Sequence, residues 1–188
     1  MSKKIAFIGA PSSGKSTISS YIFSELKKAG INIEYIQEWV RQDIFRNGPM
    51  KSIWEQFRTY QHQKEMEDSV PNKVDSIIID SSTLMPYFYA CLYADHADAR
   101  QRLVLQDMYK YLLDDLYLKR YDMIFYLPII NPLIKDGVRF QTDKEIEILD
   151  EHMNLVFSKL YKPGNVYKID GPIEERFEKI MPILSKIL

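Results

Sequence analysis

Short runs of apolar residues alternate with longer amphipathic segments along most of the chain. Residues 3–9 form an apolar run that stops at a glycine, and residues 15–29 then place apolar side chains at helical spacing until Gly30. Such a run predicts a buried strand, and such a spacing predicts a helix that ends at the glycine. The same order of strand and helix recurs towards the C-terminus.

Five strands are predicted, each followed by helical segments. The third ends in Ile77-Ile78-Ile79-Asp80, and a β-branched run of this kind is typical of a central parallel strand buried on both faces. The alternation predicts a three-layer α/β fold, a five-stranded parallel sheet with helices on both faces, in a single domain over residues 1–188. The other predicted strands are 31–36, 121–127 and 164–169. The other predicted helices are 38–46, 51–69, 83–93, 97–119, 142–160 and a last one that Pro172 opens as a residue of its first turn.

Some local patterns predict ordinary structural roles. Thr142 and Glu145 form the pattern of a capping box, and Asp95 is predicted to cap the helix that follows it. The cluster Asp95-His96-Ala97-Asp98 resembles a set of metal ligands, but helix capping explains it more simply. The tyrosines from Tyr109 to Tyr126 are interpreted as packing residues, and two histidines are predicted to be exposed on helices: His62 and His152.

Composition narrows the possible partners. The 188 residues carry a formal net charge of −1, which gives no electrostatic reason to expect a nucleic acid or a membrane, although a local basic groove remains compatible with it. The one cysteine, Cys91, excludes an intrachain disulfide, and no apolar run has the length of a signal peptide core or a membrane span. We therefore expect a protein of the reducing cytoplasm.

The segment after the first strand fits the pattern G-x-x-x-x-G-K-[ST], the Walker A motif, and it has the expected strand before it and helix after it. Glycines allow successive backbone N–H groups to point at phosphates, and the helix N-terminus adds a positive dipole. Lys15 is predicted to reach the β- and γ-phosphates of ATP or GTP, and the Ser16 hydroxyl to bind Mg²⁺. The predicted nucleotide-binding residues are Gly9, Pro11, Ser12, Ser13, Gly14, Lys15, Ser16 and Thr17.

Asp80 stands at the end of the third strand. In parallel sheets ligands bind beyond the carboxyl ends of the strands, so a carboxylate at this position is predicted to hold Mg²⁺, directly or through water, beside the acceptor. The alternative is that Asp80 or Ser81 caps the next helix.

A second group of candidates follows the second strand in Glu38-Trp39-Val40-Arg41. Glu38 is a candidate general base, Arg41 lies on the same face of a helical turn and could bind a phosphate or ribose oxygen, and Trp39 could stack on a flat ring. The alternative is a surface ion pair beside a core tryptophan, which contributes little to stability. The spacing leaves both interpretations open.

Arg139 lies in a polar loop between a strand and a helix, 129–141, which also contains a glycine. Such a loop is typical of a mobile lid, and an arginine on it could neutralise charge on a phosphoryl group during its transfer. The alternative, a solvated loop charge, also remains open.

Taken together, these segments resemble the AAA-type P-loop family that includes the ribosylnicotinamide kinase domain of bacterial NAD-biosynthesis proteins. The resemblance implies the P-loop kinase fold, with the phosphate-loop strand beside the Asp80 strand. It implies that Glu38, Trp39 and Arg41 face the acceptor and that Arg139 belongs to a lid. The segments that carry it are the Walker A motif, Glu38-Trp39-Val40-Arg41, Ile79-Asp80-Ser81, the strand from Tyr121 to Pro128, and Asp136-Gly137-Val138-Arg139.

The resemblance also implies an activity, phosphorylation of the 5′-hydroxyl of nicotinamide riboside. For transfer of the γ-phosphoryl group of ATP, the predicted catalytic residues are Lys15, Glu38, Asp80 and Arg139. One alternative is a nucleoside or nucleotide kinase, or a kinase of a modified DNA base, on the same fold. Another is an ATP- or GTP-binding switch without a small acceptor. The segment Asn72-Lys73-Val74-Asp75 fits the N/T-K-x-D pattern with which GTP-specific switches recognise guanine. It precedes the Asp80 strand instead of following a later strand, so it is interpreted as a turn.

Overall fold

The computed structural model describes residues 2–70, 73–130, 139–160 and 164–188, with no side-chain description for Lys159 and Leu160. Five strands and seven helices alternate along these residues, much as the hydrophobic pattern predicts. A π-helical segment, Leu155–Leu160, continues the sixth helix. The strands are β1 (Lys3–Ile8), β2 (Ile33–Ile36), β3 (Ser76–Asp80), β4 (Met123–Tyr126) and β5 (Val166–Lys168). The helices are α1 (Lys15–Lys28), α2 (Trp39–Asn47), α3 (Ile53–Ser69), α4 (Met85–Tyr93), α5 (Ala99–Tyr117), α6 (Asp143–Asn154) and α7 (Ile173–Leu184).

The strands form one parallel sheet in the order β2-β3-β1-β4-β5, which confirms the predicted fold class. β1 lies at the centre, and its Phe7 is opposite Asp80 of β3 on one side and Phe125 of β4 on the other. Because paired parallel strands end at the same edge, this register brings the loop after β1 next to Asp80, as expected.

Side chains of the central strands alternate between two buried layers because successive residues of a strand point to opposite faces. On one face, Ile5, Phe7 and Ile78 pack with apolar residues of α1 and α7. On the other face, Ala6 and Ile79 belong to a cluster that includes residues of α4, α5 and α6. Helices on both faces therefore cover the sheet. In the described part of the chain, every helix is too short or too polar to cross a membrane.

The helix starts confirm one sequence-based prediction and correct two. Thr142 and Glu145 form the predicted capping box of α6. The prediction for Asp95 was wrong: Asp98 is the N-cap of α5, and its carboxylate accepts from the backbone N–H two residues later at 2.8 Å. The Asp95 carboxylate closes a tight turn just before this helix instead. Pro172 is the N-cap of α7 rather than a residue of its first turn.

The aromatic predictions are correct in part. Tyr121 and Tyr126 are fully buried, but Tyr109 is 44% exposed and Tyr117 is 66% exposed, because they lie on the outer face of α5. His152 is half-buried and its ring packs 5.2 Å from a phenylalanine ring of α4, so the expectation of an exposed histidine was wrong there.

Candidate functional site

A cavity opens at the carboxyl ends of β1, β2 and β3. Two sides of it differ in construction. We call residues 9–17 with Asp80 the loop half, and the lining residues within 38–63 and 81–89 the helix half. Arg139, Phe140 and Gln141 form a third wall, and the main lining residues of the helix half are Glu38, Val40, Arg41, Ile44, Met50, Gln56, Thr59, Gln63, Ser81, Ser82, Met85, Pro86 and Tyr89.

The loop half is shaped by two glycines. A Cβ at Gly9 would lie 2.5 Å from Ser13 Oγ and would also collide with the Leu127 carbonyl, so only glycine fits there. Gly14 has φ 78° and is the N-cap of α1, where no side chain caps the helix. The first-turn N–H groups of α1 are therefore left for a ligand, and the dipole of a 14-residue helix favours an anion at this end.

Of the predicted nucleotide-binding residues, Pro11, Lys15 and Ser16 line the cavity directly. Lys15 is buried although it carries a charge, which is unusual for a lysine without a ligand. Gly9, Ser12 and Ser13 are buried within this loop, and Thr17 is exposed on the first turn of α1.

Asp80 is the best-supported candidate for a metal ligand. It is only 5% exposed, and among the described residues its Oδ1 atom has no hydrogen-bond partner. Burial raises the pKa of Asp80 and the charge of Glu38 adds to this, whereas Lys15 and hydrogen bonds from Ser16 and Tyr35 oppose it. An unpaired carboxylate oxygen next to a serine hydroxyl is a suitable oxygen set for Mg²⁺.

The residues around Asp80 also fit Mg²⁺ better than a metal whose ligands all come from the protein. Within the described ranges no three His, Cys, Asp or Glu residues come together as a ligand cluster. Mg²⁺ commonly uses one or two protein ligands and completes its shell with water and substrate phosphates. Ser16 and Asp80 are therefore the residues that would hold it, and bound Mg²⁺ would neutralise charge on the phosphates.

Glu38 and Arg41 both line the cavity, but Trp39 does not. Glu38 is the N-cap of α2, so Glu38 and Arg41 are three residues apart and share a face of the helix start. The intervening Trp39 points elsewhere: its ring stacks on the His62 ring at 4.5 Å, and the Arg58 guanidinium lies 5.5 Å from it. The geometry thus gives no support to stacking of Trp39 on a ligand in this cavity.

Sequence reasoning missed the polar residues of α3. Gln56, Thr59, Gln63 and Glu67 are all buried, and their spacing places them on one face of the helix. Gln63 accepts from the backbone N–H of α2's first residue at 3.1 Å and donates to Glu67 at 3.3 Å. The signal was present in the sequence as a polar stripe at helical spacing, where an apolar stripe is usual.

Gln56 differs from its neighbours on this stripe. It is 3% exposed and lines the cavity, yet no described residue forms a hydrogen bond with its side-chain amide. Among the described residues, the buried side-chain atoms without a partner are Ser13 Oγ and Asp80 Oδ1, so the Gln56 amide is open to the cavity rather than enclosed. Gln56 thus offers one donor and one acceptor to whatever occupies the helix half.

The third wall brings Arg139 to the loop half. Arg139 Nη1 donates to Ser12 Oγ at 2.7 Å, and Phe140 lies 5.5 Å from the ammonium of Lys51 in the α2–α3 connection. Gln141 Nε2 is 3.2 Å from a tyrosine hydroxyl of α4. The structure therefore places Arg139 at the phosphate loop, while Asp136, Gly137 and Val138 lie outside the described residues.

A buried polar network lies beneath the helix half. Tyr121 Oη is 2.9 Å from Glu67 and 2.6 Å from the Thr83 hydroxyl, which is itself 2.6 Å from Asp115. These three contacts need three protons, but the two hydroxyl groups supply only two. Burial raises the pKa of both Glu67 and Asp115, which favours binding of a proton at a carboxyl group of this network, whereas the charge of Arg120 opposes this.

This network fixes the two segments that carry the candidate acids. Thr83 belongs to the turn that follows Asp80, and Gln63, through Glu67, holds the start of α2 next to Glu38. Its hydrogen bonds are satisfied within the protein, so it supports the site without offering a free group to a ligand.

Comparison with known proteins identifies a matching family model and several solved structures of the same fold. The family model described as AAA domain matches residues 4–176. No curated protein matches the chain. Among solved structures, the NadR protein in complex with NR has a TM-score of 0.76 at 17% identity, over 99% of this chain and 51% of that one. This chain therefore spans about half the length of that protein.

Two smaller kinases match over nearly their full length. Deoxyadenosine kinase from M. mycoides has a TM-score of 0.67 at 18% identity, with 98% of this chain and 100% of that chain covered. Thymidylate kinase from Candida albicans has a TM-score of 0.69 at 13% identity, with 98% and 92% covered. At these identities the likeness establishes a shared fold, the P-loop kinase fold predicted above.

Proposed function

The chain belongs to the AAA domain family, and on this premise we propose that it is a kinase that transfers the γ-phosphoryl group of ATP to a hydroxyl of a small ribosyl acceptor. One observation carries the proposal: a single cavity joins the residues expected to hold phosphates, Lys15 and Ser16, to an acid and an unpartnered amide, Glu38 and Gln56.

In this proposal the loop half binds the triphosphate. The N–H groups of the first turn of α1 and the Lys15 ammonium contact the phosphates, and Ser16 and Asp80 hold Mg²⁺. Arg139 lies at the loop already and adds positive charge when it turns from Ser12 to the transferring group. Phosphoryl transfer depends mostly on such positioning and charge neutralisation.

The helix half binds the acceptor. Glu38 orients the acceptor hydroxyl and takes its proton as the oxygen bonds to the γ-phosphorus and the bond to the bridging oxygen of ADP breaks. Arg41 borders the same space and binds an oxygen of the ribosyl group. The negative charge of Glu38 raises the pKa of Asp80, as expected if both carboxyl groups act at one reaction centre.

We propose nicotinamide riboside as the acceptor. The NadR structure, which superposes over nearly this whole chain, contains NR, and the helix half of this chain combines apolar walls with the Gln56 amide. A carboxamide on a flat ring would satisfy both the donor and the acceptor of Gln56. Tyr89 and Phe140 take the place of Trp39 as the aromatic side chains at the cavity.

A nucleoside or nucleotide acceptor is the second candidate. The same Gln56 amide can pair with the edge of a nucleobase, and the deoxyadenosine and thymidylate kinases share this fold. The Gln56 amide supports either class of acceptor, and the following experiment distinguishes between them.

The experiment is to incubate the protein with ATP, Mg²⁺ and a pool of nicotinamide riboside, nucleosides and nucleoside monophosphates, and to measure acceptor masses. A Lys15→Ala variant is run in parallel. A phosphate gain on nicotinamide riboside alone, lost in the variant, supports the full proposal. A gain on another acceptor keeps the kinase and replaces its substrate. Nucleotide binding with no modified acceptor would refute the proposed small-molecule kinase in favour of a switch or a kinase with a macromolecular acceptor.

A further inference from the structure

Arg176, on the first turn of α7, is the largest fully buried side chain of the described residues that carries a charge. It is 1% exposed, and its guanidinium donates to three backbone carbonyl oxygens from three separate segments. Nε donates to Gly171 at 2.8 Å, Nη2 to Pro128 at 2.8 Å and Nη1 to Ser13 at 2.5 Å. Ser13 belongs to the phosphate loop, so one buried cation joins this loop to the ends of β4 and β5.

The contact with Ser13 has a geometric consequence. In a planar trans peptide the C=O of Ser13 and the N–H of Gly14 point in opposite directions. Arg176 holds this carbonyl from behind the loop, and the Gly14 N–H is thereby turned towards the opposite, ligand-facing side. Among the described residues no backbone carbonyl accepts from this N–H, which leaves it for an anion.

A second contact from the same helix supports the same loop residue. A Cβ at Gly14 would lie 3.0 Å from Ile173 Cδ1, so the first residue of α7 packs directly against the left-handed turn that Gly14 forms. Residues 173 and 176 are one helical turn apart and therefore face the loop together.

A buried arginine bonded only to carbonyl groups is a costly way to join segments, since removing a charge from water is unfavourable. Burial lowers the pKa of Arg176, and the nearby charges of Asp170 and Asp150 oppose this. Guanidinium remains protonated in proteins, so a fixed positive charge lies immediately behind the phosphate loop. Such a charge stabilises the protein most when an anion occupies the front of the loop.

We infer that Arg176 is a positioning residue for nucleotide binding: it fixes the peptide between Ser13 and Gly14 with its N–H towards the phosphates, and its charge increases the affinity of the loop for them. The inference rests on the proposed role of the loop half. No residue of α7 lines the cavity. Through Arg176, this helix nevertheless becomes part of the proposed nucleotide site.

The test compares Arg176→Lys and Arg176→Ala with the wild type, measuring direct binding of Mg·ATP and Mg·ADP by calorimetry and thermal unfolding without ligand. The matched control is Lys179→Ala, which removes a basic side chain one turn later that holds the Asp170 carbonyl but does not touch the phosphate loop. We expect nucleotide affinity to fall about 10-fold or more in Arg176→Lys, because one ammonium cannot span three carbonyls, and to stay unchanged in the control. Millimolar guanidinium should restore part of the affinity of Arg176→Ala.

Acceptor binding, measured separately, distinguishes positioning from general damage. The inference requires the loss to fall on nucleotide affinity, with the acceptor affinity of Arg176→Lys within about twofold of the wild type. A folded Arg176→Lys variant with unchanged nucleotide affinity would overturn the inference while leaving the proposed function intact. Equal losses for both ligands would also overturn it, and a wild type that binds no nucleotide would overturn both proposals. If Arg176→Ala does not fold, the lysine variant alone decides.

Discussion

The loop half and the helix half of the cavity are built from different kinds of contact. The loop half offers backbone N–H groups, held in place by Gly9, Gly14 and the start of α1, with Arg176 behind them. The helix half offers side chains, such as Glu38 and Gln56, on elements that could carry other residues without changing their path. The first arrangement suits a constant ligand group such as a phosphate, and the second suits an acceptor that differs between relatives.

This difference predicts that variants should separate into two classes. Changes in the loop half should affect every reaction that uses the nucleotide, whatever the acceptor. Changes in the helix half should depend on the acceptor and leave nucleotide binding intact. The following predictions test that separation, starting with the largest expected effect.

Lys15→Ala should have the largest effect. Loss of the one buried ammonium of the loop half should lower turnover by about 10³-fold or more with every acceptor, because a cation at the transferring phosphoryl group contributes an effect of that size. Initial rates at saturating acceptor concentration measure this fall in turnover. Lys28→Ala, at the exposed end of the same helix, should retain full turnover, since its ion pair with Glu25 is a surface contact. A Lys15→Ala variant with more than a tenth of wild-type turnover would contradict the assignment.

Glu38→Gln should have the next largest effect. The amide keeps the shape of the side chain but cannot accept the hydroxyl proton, so turnover should fall about 10²-fold, as is typical for a lost general base. Nucleotide affinity should remain within about twofold, because Glu38 lies outside the loop half. If nucleotide affinity falls as strongly as turnover, the two halves do not act separately and the acceptor role of Glu38 is wrong.

The same contrast explains how much of the site the sequence predicted. The Walker A spacing requires particular backbone angles at fixed positions, and Asp80 follows from the rule that ligands bind at strand ends, so both could be located without a structure. Glu38 and Arg41 could be located but not separated from Trp39. Their spacing indicates a shared face only once the start of α2 is known.

The remaining features depend on long-range packing. Arg176 reaches Ser13 across 163 positions of the chain, and no local pattern indicates that contact. The α3 stripe was visible as polar residues at helical spacing, but a polar stripe ordinarily marks an exposed face, so it gave no reason to expect Gln56 in a cavity. The error at Asp95 has a local cause: two aspartates three residues apart can each begin a turn, and the chain uses the second to cap α5.

Gln56→Leu should have a smaller effect that depends on the acceptor. Leucine keeps the approximate volume but removes the donor and acceptor, so kcat/KM for a carboxamide-bearing or base-bearing acceptor should fall about 10-fold to 100-fold. Gln61→Leu, on the exposed face of the same helix, is the matched control. Nicotinic acid riboside, which carries a carboxylate in place of the amide, should be the poorer substrate of the wild type, and the difference should shrink in Gln56→Leu. If Gln56→Leu keeps the wild-type preference for nicotinamide riboside over nicotinic acid riboside, Gln56 does not bind the substituent of the ring.

The smallest expected effect concerns stability, and its sign is opposite to the effect on activity. Asp80 has a raised pKa in the folded protein, so it binds a proton more tightly there than in the unfolded chain, and it destabilises the fold as pH rises above its ordinary value. Asp80→Asn removes this cost along with the proposed metal ligand. We therefore expect the variant to lose turnover yet to unfold at a higher temperature than the ligand-free wild type.

The midpoint temperature of thermal unfolding should rise by a few degrees in Asp80→Asn. A change of 1 kcal/mol in the free energy of unfolding shifts this midpoint by about 2–4 °C for a domain of this size. It should be larger at pH 7 than at pH 5, where the wild-type carboxyl group is closer to neutral. Adding Mg²⁺ and ATP should make the wild type the more stable of the two. The bound cation then neutralises its buried carboxylate, whereas Asp80→Asn has lost the proposed metal ligand. Such a trade between stability and activity is expected where a charge is buried for function. If Asp80→Asn is less stable at both pH values, the contacts with Lys15, Ser16 and Tyr35 outweigh burial, and Asp80 is a structural residue of the loop half.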